Sequence, residues 1–161
     1  MGKKLKIYLD TSVINFLFAD DALQFKSITM DFFENYLNTF DVYISQVVID
    51  EIIKTGNADK RNKLIESIKY YNIEIYEEIN PIIIELANTY IICKIVPQNK
   101  FNDAMHLAFA TYFEFDILLS WNFKHLANIN KQDKVNSLNI NLGYRKPLLL
   151  LNPMEVVYEN D

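Results

Sequence analysis

Short apolar runs that alternate with helical stripes constrain the fold of this chain more than any other feature. Each run is four or five residues long and predicts a strand, and the run Ile117–Ser120, apolar on both faces, is typical of a central strand in a parallel sheet. Between the runs, apolar residues recur every three or four positions, and this spacing predicts amphipathic helices. The alternation predicts an α/β fold with a mostly parallel central sheet. The five runs are Leu5–Leu9, Val42–Ser45, Ile73–Tyr76, Ile117–Ser120 and Leu148–Leu151.

In the first half of the chain, stripes and capping residues predict three helices. Apolar residues from Phe25 to Phe40 follow a helical spacing, so one helix is expected before the second strand. Ser45 is a suitable N-cap for the next helix, which we expect to stop at Gly56. A third stripe, over residues 64–71, predicts a helix ahead of the third strand.

The second half predicts further helices from the same signals. Pro81 suits the first position of a helix that runs to about Val96. Asn102 is a candidate N-cap for the segment "DAMHLAFATYF", and "NFKHLANI", from Asn122, is expected to start another helix. The segment "PMEVVYE", from Pro153, is expected to form a closing helical turn after a last edge strand.

Composition favours one folded domain, residues 1–161, in the cytoplasm. Half of the residues are hydrophobic, and no repeat or Gly/Ser-rich linker divides them. Cys93 is the single cysteine, so no internal disulfide can form, which suits a reducing compartment. We find no signal peptide and no apolar stretch long enough to cross a membrane. The net charge of −5 argues against nucleic-acid binding through bulk positive charge, but not through bound metal ions.

Four polar residues stand where predicted strands end or helices begin. Asp10 ends the first strand, and Asn122 follows the fourth. Asp103 lies in the first turn of the preceding helix, and Glu51 lies in the helix after the second strand, whose position the sequence leaves open. Ligands of α/β sheets bind beyond the carboxyl ends of the strands, and carboxylates gathered there repel one another unless a cation lies between them. Oxygen ligands suit Mg²⁺ or Mn²⁺, so the pattern favours one or two such ions acting on a phosphate substrate.

Each of these residues also has a purely structural interpretation. Asp10 and Asn122 could cap the segments that follow them, and Asp103 could favour the start of its helix through the helix dipole. Glu51 could be a solvated surface acid. The four residues occur together at strand ends and helix starts, which favours a shared site over four independent explanations.

Neighbouring residues leave further alternatives. Asp50 competes with Glu51, but the apolar spacing of their helix favours Glu51 on the inward side. His106 shares a helix face with Asp103 and is either a partner of that carboxylate or, as we prefer, a packing residue. Trp121 is expected to pack rather than to stack on a base. With two His and one Cys a zinc site is not expected, and without a Gly-rich loop neither is a P-loop or Rossmann nucleotide site.

Four segments resemble, in order, the signature segments of the PIN domain family: "YLDTSVINFL", "SQVVIDEI", "NDAMHLAFA" and "LLSWNFKHLAN". The last two are similar to those of PIN proteins grouped with VapC-type toxins. The resemblance implies a PIN-like three-layer α/β/α domain, with helices on both sides of a central, mostly parallel sheet. It aligns the acidic positions of the family with Asp10, Glu51 and Asp103, and its fourth position, often Asp, with Asn122.

The resemblance also implies a function. Family members are metal-dependent ribonucleases, and many are toxins that form homodimers and are neutralised by a cognate antitoxin. We therefore expect Mg²⁺ or Mn²⁺ on the four aligned residues, RNA as the substrate, and products with a 5′-phosphate and a 3′-hydroxyl. The hydroxyl of Ser120 is expected to face the site, and that of Thr11 or Ser12 to do the same beside Asp10. Asn122 brings an oxygen but no charge, so a second ion should be held less tightly than with Asp.

Two other functions stay open at this point. A PIN domain without catalysis could bind RNA or another protein. A phosphotransfer protein could use Asp10 as its nucleophile, but the phosphatase pattern requires a second Asp where Ser12 stands, so we disfavour it. If RNA binds, basic side chains must guide its backbone across an acidic surface. The candidates are Lys54, Lys60, Arg61, Lys63, Lys124, Arg145 and Lys146.

Overall fold

A computed structural model describes residues 2–157 of the chain. Within them, five strands form one sheet in the order β3-β2-β1-β4-β5, and all four pairings are parallel. The strands are β1 (Leu5–Leu9), β2 (Phe40–Ser45), β3 (Glu74–Tyr76), β4 (Ile117–Leu119) and β5 (Leu149–Leu151). The prediction of five strands in a parallel sheet, with the last strand at an edge, is confirmed.

Eight α-helices are found in the same residues, and short 3₁₀ or π segments occupy residues 16–18, 32–36 and 37–39. The helices are α1 (Thr11–Asn15), α2 (Leu23–Asp31), α3 (Gln46–Ile53), α4 (Ala58–Tyr70), α5 (Pro81–Ile92), α6 (Phe101–Tyr112), α7 (Ile129–Asn141) and α8 (Pro153–Val156). None of these helices is long and apolar enough to cross a membrane.

Strand β4 and the second half of β1 bury both of their faces, as central parallel strands covered by helices do, whereas the edge strand β3 is largely exposed. Tyr8 and Leu118 join one apolar core with residues of α5, α6 and α7. Their neighbours Ile7, Leu9 and Leu119 point the other way and join a second core with residues of α1, α3 and α4. The two cores on opposite faces of the sheet confirm the three-layer α/β/α fold.

The position of β1 creates the site. This strand is central, with β2 and β3 on one side and β4 and β5 on the other. The carboxyl ends of β1 and β4 therefore form the topological switch point, where α/β sheets bind their ligands. The Asp10 N–H donates to the carbonyl of Leu119 at 3.1 Å, which joins these two ends.

One predicted helix cap is wrong. Asn102 does not cap α6, because the helix already begins at Phe101 and the N-cap position is taken by Lys100, whose side chain makes no capping bond. The chain enters the helix early through a tight turn, in which the Lys100 N–H donates to the carbonyl of Pro97 at 2.9 Å.

The helix predicted to start at Asn122 is also wrong. Residues 122–128 form turns, and α7 begins only at Ile129. The Asn128 side chain accepts a hydrogen bond from the Lys131 N–H at 2.8 Å. An asparagine that satisfies an N–H of the first turn defines the start of a helix, so the helical pattern is interrupted there.

Other boundaries differ by a few residues. Phe40 opens β2 instead of ending the preceding helix, and α3 ends at Ile53 rather than at Gly56. Helix α5 ends at Ile92 because Lys94 adopts a left-handed conformation, with φ of 59°, that closes the helix.

The predicted N-cap at Ser45 and the predicted helix start at Pro81 are confirmed. The closing turn predicted over residues 153–159 is confirmed as far as α8, whereas Tyr158 and Glu159 lie outside the described residues.

Candidate functional site

Asp10 lies buried at the carboxyl end of β1. Its Oδ1 accepts hydrogen bonds from Ser12 Oγ at 2.5 Å and from the Val13 N–H at 3.3 Å. Its Oδ2 accepts a hydrogen bond from Ser120 Oγ at 2.5 Å. Burial raises the pKa of Asp10, and the charge of His106 and these hydrogen bonds oppose the rise. Asp10 therefore caps α1 and also fixes a carboxylate at the switch point.

Ser12 and Ser120 join the ends of β1 and β4 around this carboxylate. Ser12 Oγ accepts a hydrogen bond from the Trp121 N–H at 2.9 Å, and Ser120 Oγ accepts one from the Asn122 N–H at 2.9 Å. Each hydroxyl thus donates to Asp10 and accepts from the backbone beyond β4. These contacts hold the carboxylate in one orientation.

Glu51 is the acid of α3 that faces this edge of the sheet, and Asp50 is exposed. Glu51 Oε1 accepts a hydrogen bond from Thr11 Oγ1 at 2.8 Å and lies 2.8 Å from His106 Nε2. Burial favours a higher pKa for Glu51, but the hydrogen bond and charge of His106, together with the Thr11 bond, lower it overall. Asp50 instead accepts a hydrogen bond from Gln46 Nε2 at 2.9 Å.

His106 links Glu51 to the core through a chain of hydrogen bonds. His106 Nδ1 lies 2.6 Å from Tyr8 Oη, which lies 2.7 Å from Ser45 Oγ. A neutral imidazole with its proton on Nε2 fits when Ser45 donates to Tyr8 and Tyr8 donates to His106; a protonated ring reverses both bonds. Burial favours a lower pKa for His106, but the Glu51 hydrogen bond and the nearby carboxylates raise it overall.

This placement corrects our preferred interpretation of His106. The side chain is buried, as a packing residue would be, but its ring also holds a carboxylate. That carboxylate belongs to Glu51 and not to Asp103, the helix neighbour suggested by the sequence. Tyr8, which the sequence analysis missed, completes this chain of hydrogen bonds. The sequence feature that could have identified Tyr8 is its position two residues before Asp10, on the same face of β1.

Asp103 and Asn122 meet at the other side of the site. Asn122 Nδ2 donates to Asp103 Oδ2 at 3.3 Å, while Asn122 Oδ1 accepts a hydrogen bond from the His125 N–H at 3.0 Å. Burial raises the pKa of Asp103, and the charge of Glu51 adds to the rise. The two acids are therefore close enough to interact electrostatically. Burial contributes more to this rise in the pKa of Asp103 than repulsion by Glu51 does.

Trp121 closes the site on the side of α2 and is buried. Its Nε1–H donates to Thr29 Oγ1 at 2.8 Å, and its ring centroid lies 4.7 Å from that of Phe25 and 5.7 Å from that of Phe16. The prediction that Trp121 is a packing residue is confirmed.

The chemistry of the donors fits a hard divalent cation, because the predicted ligands all offer oxygens. Within residues 2–157, however, no group of three or more His, Cys, Asp and Glu side chains is arranged to hold a metal ion. The hydrogen bonds give the physical reason. Asp10 is turned toward two serines, Glu51 toward His106, and Asp103 toward the Asn122 amide. A cation would have to replace some of these contacts.

The sheet order and the polar residues at the switch point are those of a ligand-binding α/β protein, and a comparison with family models identifies its family. The model of the PIN domain matches residues 7–127, well over half of the chain. The chain belongs to the PIN domain family. PIN domains are generally nucleases and typically use divalent metal ions. A comparison with curated proteins finds no match.

Proposed function

We propose that this protein is a divalent-metal-dependent endoribonuclease and the toxin of a type II toxin–antitoxin pair. The proposal rests on the meeting of the four aligned residues at one edge of the sheet. Asp103 hydrogen-bonds Asn122, and its pKa responds to the charge of Glu51. Glu51 is hydrogen-bonded to Thr11, which directly follows Asp10 in the chain. The nuclease activity general in the family supports the class of reaction.

Mg²⁺ or Mn²⁺ would be held by Asp10, Glu51 and Asp103, with the Asn122 oxygen assisting. Such an ion, when bound, activates water and neutralises phosphate charge in the hydrolysis of a phosphodiester bond. The Asn122 oxygen already accepts one hydrogen bond but keeps a second lone pair. It is therefore the weakest of the four ligands.

The residues of the protein itself orient the carboxylates of the site and supply its negative charge. Asp10 receives three hydrogen bonds before any substrate arrives, and these hold its carboxylate at the carboxyl end of β1. Glu51 has a lowered pKa and is ionised at neutral pH. The hydroxyls of Ser12 and Ser120 donate to Asp10 and so orient its carboxylate. Water is the attacking group that metal-assisted hydrolysis of a phosphodiester bond requires.

The remaining parts of the proposal are an RNA substrate, a cognate antitoxin, a homodimer and a location in the cytoplasm. The resemblance to VapC-type toxins supports the substrate, the antitoxin and the dimer. The single cysteine, exposed and unpaired among the described residues, supports the reducing compartment.

A second candidate function is a PIN domain that binds RNA or a protein without cleaving it. The observation in its favour is the hydrogen-bonded state of the four residues, in which the Asn122 amide faces Asp103 with its NH₂ group and not with its oxygen. A site of this kind could persist as a binding surface.

Substitution of Asp10 separates the two candidates. Asp10→Asn keeps the size of the side chain and one oxygen, but removes the charge. We expect cleavage of single-stranded RNA in Mn²⁺ to fall by at least ~100-fold, the scale on which loss of metal-assisted activation of water acts. RNA binding should persist, because a negative charge near the phosphates has been removed.

Asp50→Asn and Glu51→Gln provide a matched pair on α3. Asp50→Asn removes an exposed charge and should leave cleavage unchanged, whereas Glu51→Gln should reduce it as Asp10→Asn does. Thermal melts establish that all three variants fold. A wild-type protein that binds RNA as tightly as Asp10→Asn, yet cleaves none with Mg²⁺ or Mn²⁺, would refute the nuclease and favour the binding module.

A further inference from the structure

A cavity of about 750 Å³ lies beside the candidate site, between the turn that links α5 to α6 and the start of α7. Its floor is apolar and its rim is basic. The lining residues on which the argument depends are Lys94, Ile95, Lys124, His125 and Lys131.

The cavity adjoins the acids of the site. The His125 N–H donates to Asn122 Oδ1 at 3.0 Å, so one wall of the cavity is bonded directly to a site residue. Asn122 Nδ2 in turn donates to Asp103 Oδ2 at 3.3 Å. A ligand in the cavity would therefore lie close to Asp103.

The charge of the cavity is opposite to that of the whole chain. No acidic side chain is among its lining residues, and within residues 2–157 no ion pair neutralises Lys94, Lys124 or Lys131. The chain as a whole carries a net charge of −5. A local excess of positive charge beside an acidic site offsets the repulsion that a polyanionic strand would otherwise meet there.

A second lysine-rich cavity, of about 440 Å³, differs from the first because acidic side chains lie among its lysines. It lies at the amino end of β1 and contains Lys4 and Lys146 together with three acids. Lys146 Nζ lies 2.9 Å from Asp116 Oδ1, so this lysine is paired at the opposite end of the sheet from the site. Lys146, one of the predicted guides for RNA, is therefore badly placed for that role.

The basic cavity is also partly preformed. Lys131 Nζ donates to the carbonyl of Ile95, and this hydrogen bond fixes the Lys131 side chain across the floor of the cavity. Lys94 lies in a left-handed turn, with φ of 59°, directly after α5. Ile95 and Val96 are buried beneath it. Lysines above an apolar floor suit a nucleotide, since the cations bind the phosphate and the apolar surface receives the sugar and base.

We propose that this cavity is a subsite for the phosphodiester backbone of a single-stranded RNA, one or two nucleotides from the bond at the acidic site. The inference deepens the proposed function and rests on it. Lys124 was among the basic residues expected to guide RNA, whereas Lys94 and Lys131 become candidates only through the fold. The subsite would set the direction and register of the strand, while the acids act on the bond.

The test measures binding separately from cleavage. Fluorescence anisotropy with a labelled oligouridylate, in EDTA, reports affinity without metal or turnover. The double variant Lys94→Glu/Lys124→Glu should bind at least about tenfold more weakly than wild type. The slope of log affinity against log salt concentration should also fall by about 1.4, because two phosphate contacts to a single strand contribute roughly 0.7 each. Lys4→Glu, an equal change of charge per residue at the other end of the sheet, should alter neither quantity.

Three outcomes would overturn the assignment. The first is a double variant whose affinity and salt slope match those of Lys4→Glu. The second is a wild-type protein that does not bind the oligouridylate. The third is an oligoglutamate of equal charge that binds as tightly and depends on the same lysines, which would point to an acidic protein segment instead. Cleavage in Mn²⁺, measured in parallel, tests the nuclease itself: a protein that cleaves RNA but ignores the lysine changes retains the proposed function and loses only the subsite. Replacement by Gln in place of Glu, with a thermal melt, confirms that a loss reflects charge and not unfolding.

Discussion

The hydrogen-bond chain behind Glu51 permits a quantitative prediction for Tyr8→Phe. Tyr8 is fully buried, and its hydroxyl contacts His106 Nδ1 at 2.6 Å and Ser45 Oγ at 2.7 Å. The substitution keeps the ring and removes only the oxygen, so loss of packing is small. Ser45 Oγ still accepts a hydrogen bond from the Val47 N–H, but His106 Nδ1 loses the partner that the structure gives it. An unsatisfied buried group costs about 1–3 kcal/mol, so we expect a loss of about 2 kcal/mol in the free energy of unfolding.

Urea denaturation, followed by circular dichroism at neutral pH, measures this loss. For a domain of this size, a change of about 2 kcal/mol lowers the melting temperature by roughly 4–8 °C. Tyr70→Phe is the matched control, because Tyr70 is 77% exposed and its substitution should change stability by less than about 0.5 kcal/mol. If Tyr8→Phe changes stability as little as the control does, the hydroxyl does not support His106 and the proposed chain of hydrogen bonds is incorrect.

Three further substitutions test separate features. Asn122→Asp replaces an amide that donates to Asp103 by a second carboxylate, so it should lower the melting temperature in EDTA and enlarge the stabilisation by Mn²⁺ relative to wild type, as differential scanning fluorimetry would show. Burial favours a higher pKa for Asp116, but Lys146 and a backbone N–H lower it below its ordinary value of 3.8, so its stabilisation is present above that value and is lost as the pH falls through the folded-state pKa. Asp116→Asn should therefore flatten the acid limb of stability against pH in urea titrations. Gly143→Ala should cost about 1 kcal/mol in the same assay through its φ of 95° alone, because a Cβ there meets no atom within 4 Å; an unchanged midpoint would contradict this.

The sequence by itself determined the elements whose signals are local. The short runs rich in apolar residues define β1 to β5, because such a run predicts a strand from its own residues alone. Ser45 and Pro81 mark helix starts through contacts that extend no more than three residues along the chain. The same argument places Asp10 at the carboxyl end of β1, since the apolar run before it predicts that strand without ambiguity. Errors arose where two local signals competed, as at Asn128, whose cap starts α7 after the stretch that had been expected to be helical.

Only the tertiary structure decided which distant residues meet. Glu51 and His106 are 55 positions apart, and they come together because β2 and β4 both lie beside β1, which brings α3 against α6. Helical periodicity favours Glu51 over Asp50 on the inward side but does not name the partner. The basic cavity beside Asp103 likewise draws Lys94 and Lys124 from separate segments of the chain. Local patterns record which residues are neighbours on one helix or strand, whereas strand order, set by the packing of the whole core, determines which of those faces meet.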